Sequence, residues 1–317
     1  MFSRRAIYFD EVAKQRSVRG ASDRLRIAPS AVDRQVLQLE QQLGTNLFER
    51  TTRGLRLTAA GELVLHAIRK WRREFDTLKS ELDELQGLRR GTLSIGLAEG
   101  SLQFLSQCLK TFRDQYPGID YRLHVAGSEA ILDMVLRGDC DLGLTFNPPD
   151  THDLRVEHAL TYRLGAMMPP SHPLASRSRV SLAECADYPL IAPDDTLSLR
   201  LVINRLWHAS LGTNPRFAVV TSSVSLMKAM ILNGLGVGLL TAIDADDEIE
   251  RGELVFRPFH DERVSVSTLT LIRSASRNPS AAASLIMLHL SAAMQSRPSV
   301  QANGRILPVV PAECDVV

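Results

Sequence analysis

The sequence lacks the residue patterns that mark a metal protein or a disulfide-stabilised one. Its four cysteines stand alone in the 317 residues, at Cys108, Cys140, Cys185 and Cys314. No CxxC pair or Cys/His cluster has the spacing of metal ligands, so we expect neither a metal site nor a disulfide scaffold. No Ser/His/Asp triad, carboxylate pair or phosphate-binding loop stands out either, so we expect no cofactor and no enzyme.

Long apolar segments are missing too. The longest uncharged apolar stretch, residues 229–243, is about 15 residues long, whereas a membrane-spanning helix needs about 20. Arg4 and Arg5 are followed by Asp10 and Glu11 instead of the apolar core of a signal peptide. We therefore expect a cytoplasmic protein with reduced thiols and no membrane partner, while a redox-sensing cysteine pair stays open.

Net charge is nearly absent, because 37 Lys and Arg face 36 Asp and Glu, giving +1. Residues 1–90 carry 18 basic and 12 acidic side chains, a net +6, and residues 91–317 carry 19 and 24, a net −5. A basic segment on a mildly acidic body is typical of a nucleic-acid-binding module attached to another domain. Chance variation along the chain is the alternative.

The apolar spacing predicts three helices in the basic segment. Ile7 and Phe9 indicate the first, Ser17 is placed to cap the second, and Pro29 suits the first turn of the third. Two short helices joined by a tight turn indicate a helix-turn-helix. The predicted buried stripe of the third helix consists of Val32, Val36, Leu39 and Leu43.

The polar face of the third helix carries groups that read DNA. Arg and Gln make bidentate contacts with guanine and adenine edges, and the start of this helix is what reaches the bases in such a motif. A small hairpin follows, with cations and hydroxyls suited to phosphate or minor-groove contacts. A solvated helix face is the alternative. The predicted DNA contacts are Ser17, Pro29, Ser30, Ala31, Asp33, Arg34, Gln35, Arg50, Thr51 and Arg53.

A heptad seam is predicted on a long helix over residues 59–88, with Thr58 as its cap. Its apolar residues are spaced alternately three and four apart over three heptads, which favours two helices zipped into a homodimer. A helix packed on its own domain is the alternative. The predicted seam consists of Val64, Ile68, Trp71, Phe75, Leu78, Leu82 and Leu85.

One pattern extends, in order and with few gaps, over residues 9–13, 17–22, 25–36, 39–44, 47–50 and 57–61. Through these segments the chain resembles the LysR-type transcriptional regulators. The resemblance implies a winged helix-turn-helix, a dimerising linker helix and a two-lobed effector domain like the periplasmic binding proteins. Ala28 stands where the family usually has a capping Ser, which costs about 1 kcal/mol. Asp33 replaces a common Ser, so we expect an altered base preference, since a carboxylate accepts from cytosine N4.

Residues 91–317 alternate predicted strands and helices, which indicates an α/β fold with a mostly parallel sheet. The pattern predicts a strand beginning at Leu164 in a second set of elements. A looser resemblance to the family here implies two lobes, with crossovers near Thr161 and Val266. The expected domains are a winged helix-turn-helix (1–58), a linker helix (59–89), lobe I (90–161 with 267–296), lobe II (162–266) and a loose tail (297–317).

Small ligands bind at the carboxyl ends of parallel strands, where helix N-termini present free N–H groups. By the family resemblance, the loops at these strand ends line an effector cleft. A carboxylate at Glu99 would disfavour an anionic effector, but it could equally face solvent, since Glu is favoured early in a helix. The predicted effector contacts are Ala98, Glu99, Gly100, Ser101, Ser128, Phe146, Asn147, Leu197, Thr221 and Ser223.

The sequence therefore predicts a transcription factor that binds a partly palindromic double-stranded DNA site and responds to a small-molecule effector. It predicts a homodimer, with a tetramer expected from the family, and RNA polymerase as a candidate partner. The alternative is a solute-binding or enzymatic α/β domain whose basic N-terminal segment only mediates assembly.

Overall fold

A computed structural model describes residues 3–51, 54–85, 91–260 and 266–297. Its contacts divide the chain into two units between Leu82 and Asp83. The elements of the first unit are α1 (Arg4–Gln15), α2 (Val18–Leu25), α3 (Pro29–Leu43), β1 (Phe48–Thr51), β2 (Gly54–Leu57) and α4 (Ala59–Leu85), the last of which crosses the division.

Local capping sets the helix boundaries in the first unit. The Ser17 side chain accepts from Gly20 N at 3.2 Å, and Thr58 Oγ1 accepts from Gly61 N at 3.0 Å, so both predicted caps are present. Ala28 provides no side-chain cap for α3, and Gly44 ends that helix in the left-handed conformation. The antiparallel hairpin of β1 and β2 confirms the predicted wing.

Gly54 positions the wing against the end of α1. Its φ of +113° favours glycine, and a Cβ there would lie 2.8 Å from the Arg16 carbonyl oxygen. That oxygen accepts from Leu55 N at 2.9 Å, which ties β2 to the C-terminal end of α1. The hairpin is therefore held in place by the three-helix body.

Two small apolar clusters hold the first unit together. Val32 and Val36 are buried with Val12 and Ala21, as the predicted stripe requires, but Leu43 is 46% exposed. The stripe was predicted one turn too long, because Leu39 is its last packed residue. Phe9, Leu47 and Ile68 form the second cluster.

The N-terminal end of the predicted seam also belongs to this core. Ile68 is 7% exposed and belongs to the core of its own domain, and the half-buried Val64 packs beside it. The prediction that Ile68 lies in an intermolecular seam is thus corrected by the packing, whereas the prediction for Val64 stays a prediction. An apolar period of about 3.5 residues is found both on a helix packed against its own domain and on a helix packed against a partner helix. The spacing therefore could not distinguish the two.

The second unit is a two-lobed α/β structure. In chain order, the elements of the first lobe come first: β3 (Gly91–Leu97), α5 (Leu102–Gln115), β4 (Ile119–Val125), α6 (Ser128–Arg137), β5 (Leu142–Phe146) and β6 (Leu154–Met168). The second lobe follows with α7 (Leu182–Ala186), β7 (Leu190–Pro193), α8 (Leu199–Leu211), β8 (Val219–Thr221), α9 (Val224–Leu232), β9 (Val237–Thr241), α10 (Asp246–Glu250) and β10 (Val255–Pro258). The chain returns to the first lobe with β11 (Val266–Ser274) and α11 (Ala281–Gln295).

One long strand passes from the first lobe to the second. Residues 154–163 of β6 pair with β11, and residues 164–168 pair with β9 and β10. The prediction of a separate strand from Leu164 was wrong, because the charged first half of β6 hides its strand character. The pairing order is β4-β3-β5-β11-β6-β9-β7-β8, with β3, β4 and β5 parallel and β11 antiparallel to its neighbours.

Each lobe has its own core, centred on strands β3 and β5 in the first and on β7 and β9 in the second. The short elements α7, α10 and β10 were not predicted. Arg297, predicted to begin a loose tail, donates to Asp246 Oδ2 at 2.5 Å, and the rest of that predicted tail lies outside the described residues. None of the described helices is long and apolar enough to cross a membrane.

Candidate nucleic-acid interface and ligand cleft

The outer face of α3 presents a cation opposite a buried stripe. Val32 and Val36 point into the core of the first unit, whereas Arg34 between them is exposed. At the start of the helix Pro29 and Ser30 are exposed as well. An exposed guanidinium near the N-terminal end of the second helix of such a pair can make two parallel hydrogen bonds to guanine.

The other predicted DNA contacts are placed less uniformly. Ala31, Asp33 and Gln35 are half-buried on α3, and Gln35 donates to Gln38 Oε1 at 3.1 Å. Ser17 is half-buried with its hydroxyl engaged as the α2 cap. Arg50 and Thr51 are exposed on β1, while Arg53 lies outside the described residues.

A buried carboxylate joins the first helix to α4. Asp10 is 5% exposed and lies 2.9 Å from Lys14 Nζ and 3.1 Å from Arg69 Nε, with Arg72 Nη1 at 3.8 Å. Burial alone would raise the pKa of Asp10, but hydrogen bonds and charge from Lys14 and Arg69 outweigh it and hold the pKa below its usual range. The cluster fixes the start of α4 to the helix-turn-helix.

Beyond Ile68, three large apolar side chains of α4 are partly exposed to solvent. Trp71 is 59% exposed, Phe75 38% and Leu78 47%. The side chains of Leu82 and Leu85, the last two predicted seam residues, lie outside the described part of the chain. Three large apolar side chains at heptad spacing on one exposed helix face favour burial against another apolar surface.

The two lobes of the second unit enclose a cleft of about 370 Å³, counted to its open mouth. Its walls come from strand ends and helix starts of both lobes. Six of the ten predicted effector contacts line it: Ala98, Glu99, Gly100, Ser128, Phe146 and Leu197. Close contacts join its sides, since Asn147 Nδ2 donates to Ser198 Oγ at 3.5 Å and a Cβ at Gly127 would collide with the Thr196 carbonyl oxygen.

The four remaining predicted contacts are used for structure rather than for lining the cleft. Ser101 is fully buried and donates to the Ala98 carbonyl at 2.7 Å. The Asn147 side chain bridges to Thr268 N and Ser267 Oγ of β11. Thr221 Oγ1 accepts from Ser223 N at 3.2 Å, and Ser223 caps α9. Each of these residues was predicted to contact the effector because of its position at a strand end, and that position does not fix the direction in which the side chain points.

Glu99 joins the lobes through the N-terminus of α9. Its carboxylate accepts from Ser223 Oγ at 3.0 Å, from Val224 N at 2.8 Å and from Ser225 N at 2.9 Å. Burial would raise the pKa of Glu99, but these hydrogen bonds hold it below its usual range. Glu99 therefore faces the other lobe, and the alternative that it faces solvent is corrected.

A second carboxylate, Asp244, lies in the cleft and was not among the predicted effector contacts. Asp244 is 7% exposed, and its Oδ2 accepts from Thr241 N and Thr241 Oγ1, both at 2.8 Å. Burial raises the pKa of Asp244 to about 6, against the hydrogen bonds from Thr241 that lower it. The Thr-x-x-Asp capping pattern that begins at the last residue of β9, Thr241, was a usable signal for this pair. The other unpredicted lining residues are Ser198, Leu199, Val224 and Ser267.

The described cysteines have no activated thiol. Cys108, Cys140 and Cys185 are buried, and burial raises the pKa of the first two to about 11 and that of Cys185 to about 12. A thiol with a raised pKa is protonated at neutral pH and a poor nucleophile. Among the described residues no group of His, Cys, Asp or Glu has an arrangement that holds a metal ion.

Two family models match this chain. One, described as the LysR substrate binding domain, matches residues 86–295, and the other, described as a bacterial regulatory helix-turn-helix protein of the lysR family, matches residues 4–62.

Individual proteins agree with these models. The RuBisCO operon transcriptional regulator of Allochromatium vinosum is 29% identical over 247 residues, which cover 78% of this chain and 82% of the relative. The HTH-type transcriptional activator CmpR of a Synechocystis strain is 28% identical over 234 residues, covering 74% and 76%. The structure of full-length CbnR complexed with its target DNA superposes with a TM-score of 0.67 at 21% identity, covering 93% of this chain and 99% of that one.

Proposed function

The chain belongs to the LysR family of bacterial transcriptional regulators, and from that membership we propose what its two units recognise. It is a DNA-binding regulator with an effector-binding domain and not an enzyme. We propose that the first turns of α3 enter the major groove, with Arg34 and Asp33 facing base edges. Arg50 and Thr51 of the wing contact the backbone. The exposed Arg34, opposite a buried stripe in a helix-turn-helix, carries this assignment.

Trp71, Phe75 and Leu78 form the interface of a homodimer, since their exposed apolar face is otherwise left in water. Two-fold symmetry then places two DNA half-sites about one helical turn, roughly 34 Å, or a multiple of it apart. Further association gives the tetramer that the family resemblance implies. RNA polymerase is the proposed partner at the promoter, and the cytoplasm is the proposed location.

The effector enters the cleft between the two lobes. Its contacts are Ala98, Glu99, Gly100, Ser128 and Phe146 of the first lobe, together with Leu197 and Asp244 of the second. A ligand that binds one lobe arrangement better than another shifts the population towards that arrangement. In an oligomer bound to two half-sites, such a shift changes the DNA bend and its energy.

Matched variants test the assignment of α3 and the wing. Arg34→Ala is expected to cost about 1–3 kcal/mol on a selected site and much less on random DNA, so the specificity ratio falls. Arg50→Ala is expected to weaken binding to both and to reduce the salt dependence by about one counterion. Arg113→Ala, an exposed cation on α5, is the control and leaves both affinities unchanged.

Fluorescence anisotropy with the two duplexes at several salt concentrations measures these effects. Equal proportional losses on selected and random DNA for Arg34→Ala would contradict the role given to α3.

A further inference from the structure

The anion site that the effector domain offers at the start of α9 is already filled by the chain itself. The free N–H groups at a helix N-terminus attract anions. Here the Glu99 carboxylate, from the other lobe, takes the Ser223 hydroxyl and the N–H groups of Val224 and Ser225 at 2.8–3.0 Å. A carboxylate or phosphate ligand would have to displace Glu99 before it could use these donors.

A second carboxylate in the cleft, that of Asp244, has one oxygen that can accept a hydrogen bond from a ligand. Thr241 satisfies only Oδ2 of Asp244, and Oδ1 lies against Gly100, where a Cβ would collide with it. Within the part of the chain that the structure describes, no donor is hydrogen-bonded to Oδ1. The Asp244 residue is 7% exposed. A carboxylate oxygen that no protein donor reaches is stabilised by a ligand that brings a donor.

The charge of the residues that line the cleft also favours a ligand with a cationic donor group. Of the described residues that line the cleft, Glu99 and Asp244 carry carboxylates and none carries a basic side chain. Lys228, whose charge acts on Asp244, is paired with Glu248 at 2.8 Å. An anion entering this cleft would lose hydration without gaining an opposite charge, whereas a cation would gain one.

The remaining walls are mainly apolar, from Phe146, Leu197, Leu199 and Val224. We propose that the effector of this regulator is a small amine, whose ammonium group donates to Asp244 Oδ1 while its apolar body lies against these four residues. Glu99 acts as a built-in carboxylate that bars anionic ligands from the start of α9. This inference rests on the proposal that the cleft is the effector site.

Three probes of equal length and different charge test the proposal on the full chain: butylammonium, 1-butanol and butyrate. Ligand-observed NMR titration at pH 7.5 and constant ionic strength gives their affinities. For the unmodified protein we expect butylammonium to bind most tightly and butyrate most weakly, with dissociation constants that differ at least tenfold. This series needs no variant, so it holds even if a substitution prevents folding. Butyrate binding as well as butylammonium, or no binding of butylammonium, overturns the proposal.

Two substitutions test which carboxylate causes the preference for the cationic probe. Asp244→Asn keeps an acceptor for Thr241 and is expected to weaken butylammonium binding at least tenfold. Glu99→Ala uncovers the donors of Ser223, Val224 and Ser225 and is expected to create butyrate binding that the unmodified protein lacks. Asp114→Asn, an exposed acid on α5, is the control. Unchanged butylammonium binding in a folded Asp244→Asn variant, or no gain of butyrate binding in folded Glu99→Ala, overturns the corresponding half.

DNA binding by the same preparation separates the two levels of inference. A chain that selects a DNA sequence but shows no charge preference refutes the amine and leaves the regulator function standing. A chain that prefers butylammonium but selects no DNA refutes the proposed function and leaves the chemistry of the cleft standing.

Discussion

Replacing Phe75 and Leu78 together by glutamate is expected to dissociate the proposed dimer. Both side chains lie on α4 beyond Ile68, where they are 38% and 47% exposed. In a two-fold dimer each position faces its partner copy or a neighbour of it, so four carboxylates would enter one apolar seam. Like charges forced together without water are strongly unfavourable.

The structure sets the size of the effect. If each side chain presents about 200 Å² when fully exposed, the two together still offer roughly 170 Å² per protomer to a partner helix. At about 25 cal/mol per Å², burying that area stabilises the dimer by about 4 kcal/mol per protomer and about 8 kcal/mol in all. Losing it raises the dimer dissociation constant by about five orders of magnitude or more, before charge repulsion is added.

Sedimentation equilibrium of the full chain at micromolar concentration measures the change. The expected result is a dimer or larger oligomer for the unmodified protein and a monomer for Phe75→Glu with Leu78→Glu. Leu63→Glu is the matched control, since Leu63 is 74% exposed on the same helix but lies off the seam. An intact dimer in the double variant, or dissociation by Leu63→Glu alone, would place the interface on another surface.

Three further predictions concern acidic residues. Asp10→Asn should lower the free energy of unfolding by about 2 kcal/mol in urea denaturation, because Arg69 and Lys14 lose their buried partner; a change below about 0.5 kcal/mol would speak against the cluster. The pKa of Asp244 is raised to about 6 from 3.8, so its contribution to stability is present below pH 4 and is lost as the pH rises through 6. Relative to the unmodified protein, Asp244→Asn should therefore gain about 3 kcal/mol between pH 4 and 7.5, and a pH-independent difference would be inconsistent with that burial. Asp33→Ser should change the base preferred at one position of a selected DNA site, and an unchanged profile would remove Asp33 from the reading face.

The sequence was most informative where structure is set by neighbours along the chain. Ser17 and Thr58 cap their helices and Val32 and Val36 are buried, as predicted, because capping and apolar spacing act within a few positions. The same local signals located the strand ends that surround the cleft.

Contacts between distant segments were not accessible in this way. The hydrogen bonds of Glu99 join residues more than 120 positions apart, and nothing near Glu99 in the sequence indicates α9 as its partner. Asp244 packs against Gly100, which lies 144 positions earlier in the chain, so its burial could not be read from its neighbours in the sequence. Ile68 and Trp71 share one periodic pattern, yet one lies in the domain core and the other in solvent. Periodicity identifies an apolar face but not what covers it.

Selection of DNA from a random library by the full chain tests the central claim most directly. A sequence-reading α3 on a two-fold dimer predicts an enriched, partly palindromic site whose half-sites lie one helical turn, or a multiple of it, apart. It also predicts that Arg34→Ala weakens the enrichment at a defined base pair in each half-site. Recovery of DNA without any sequence enrichment by the unmodified protein would contradict the account.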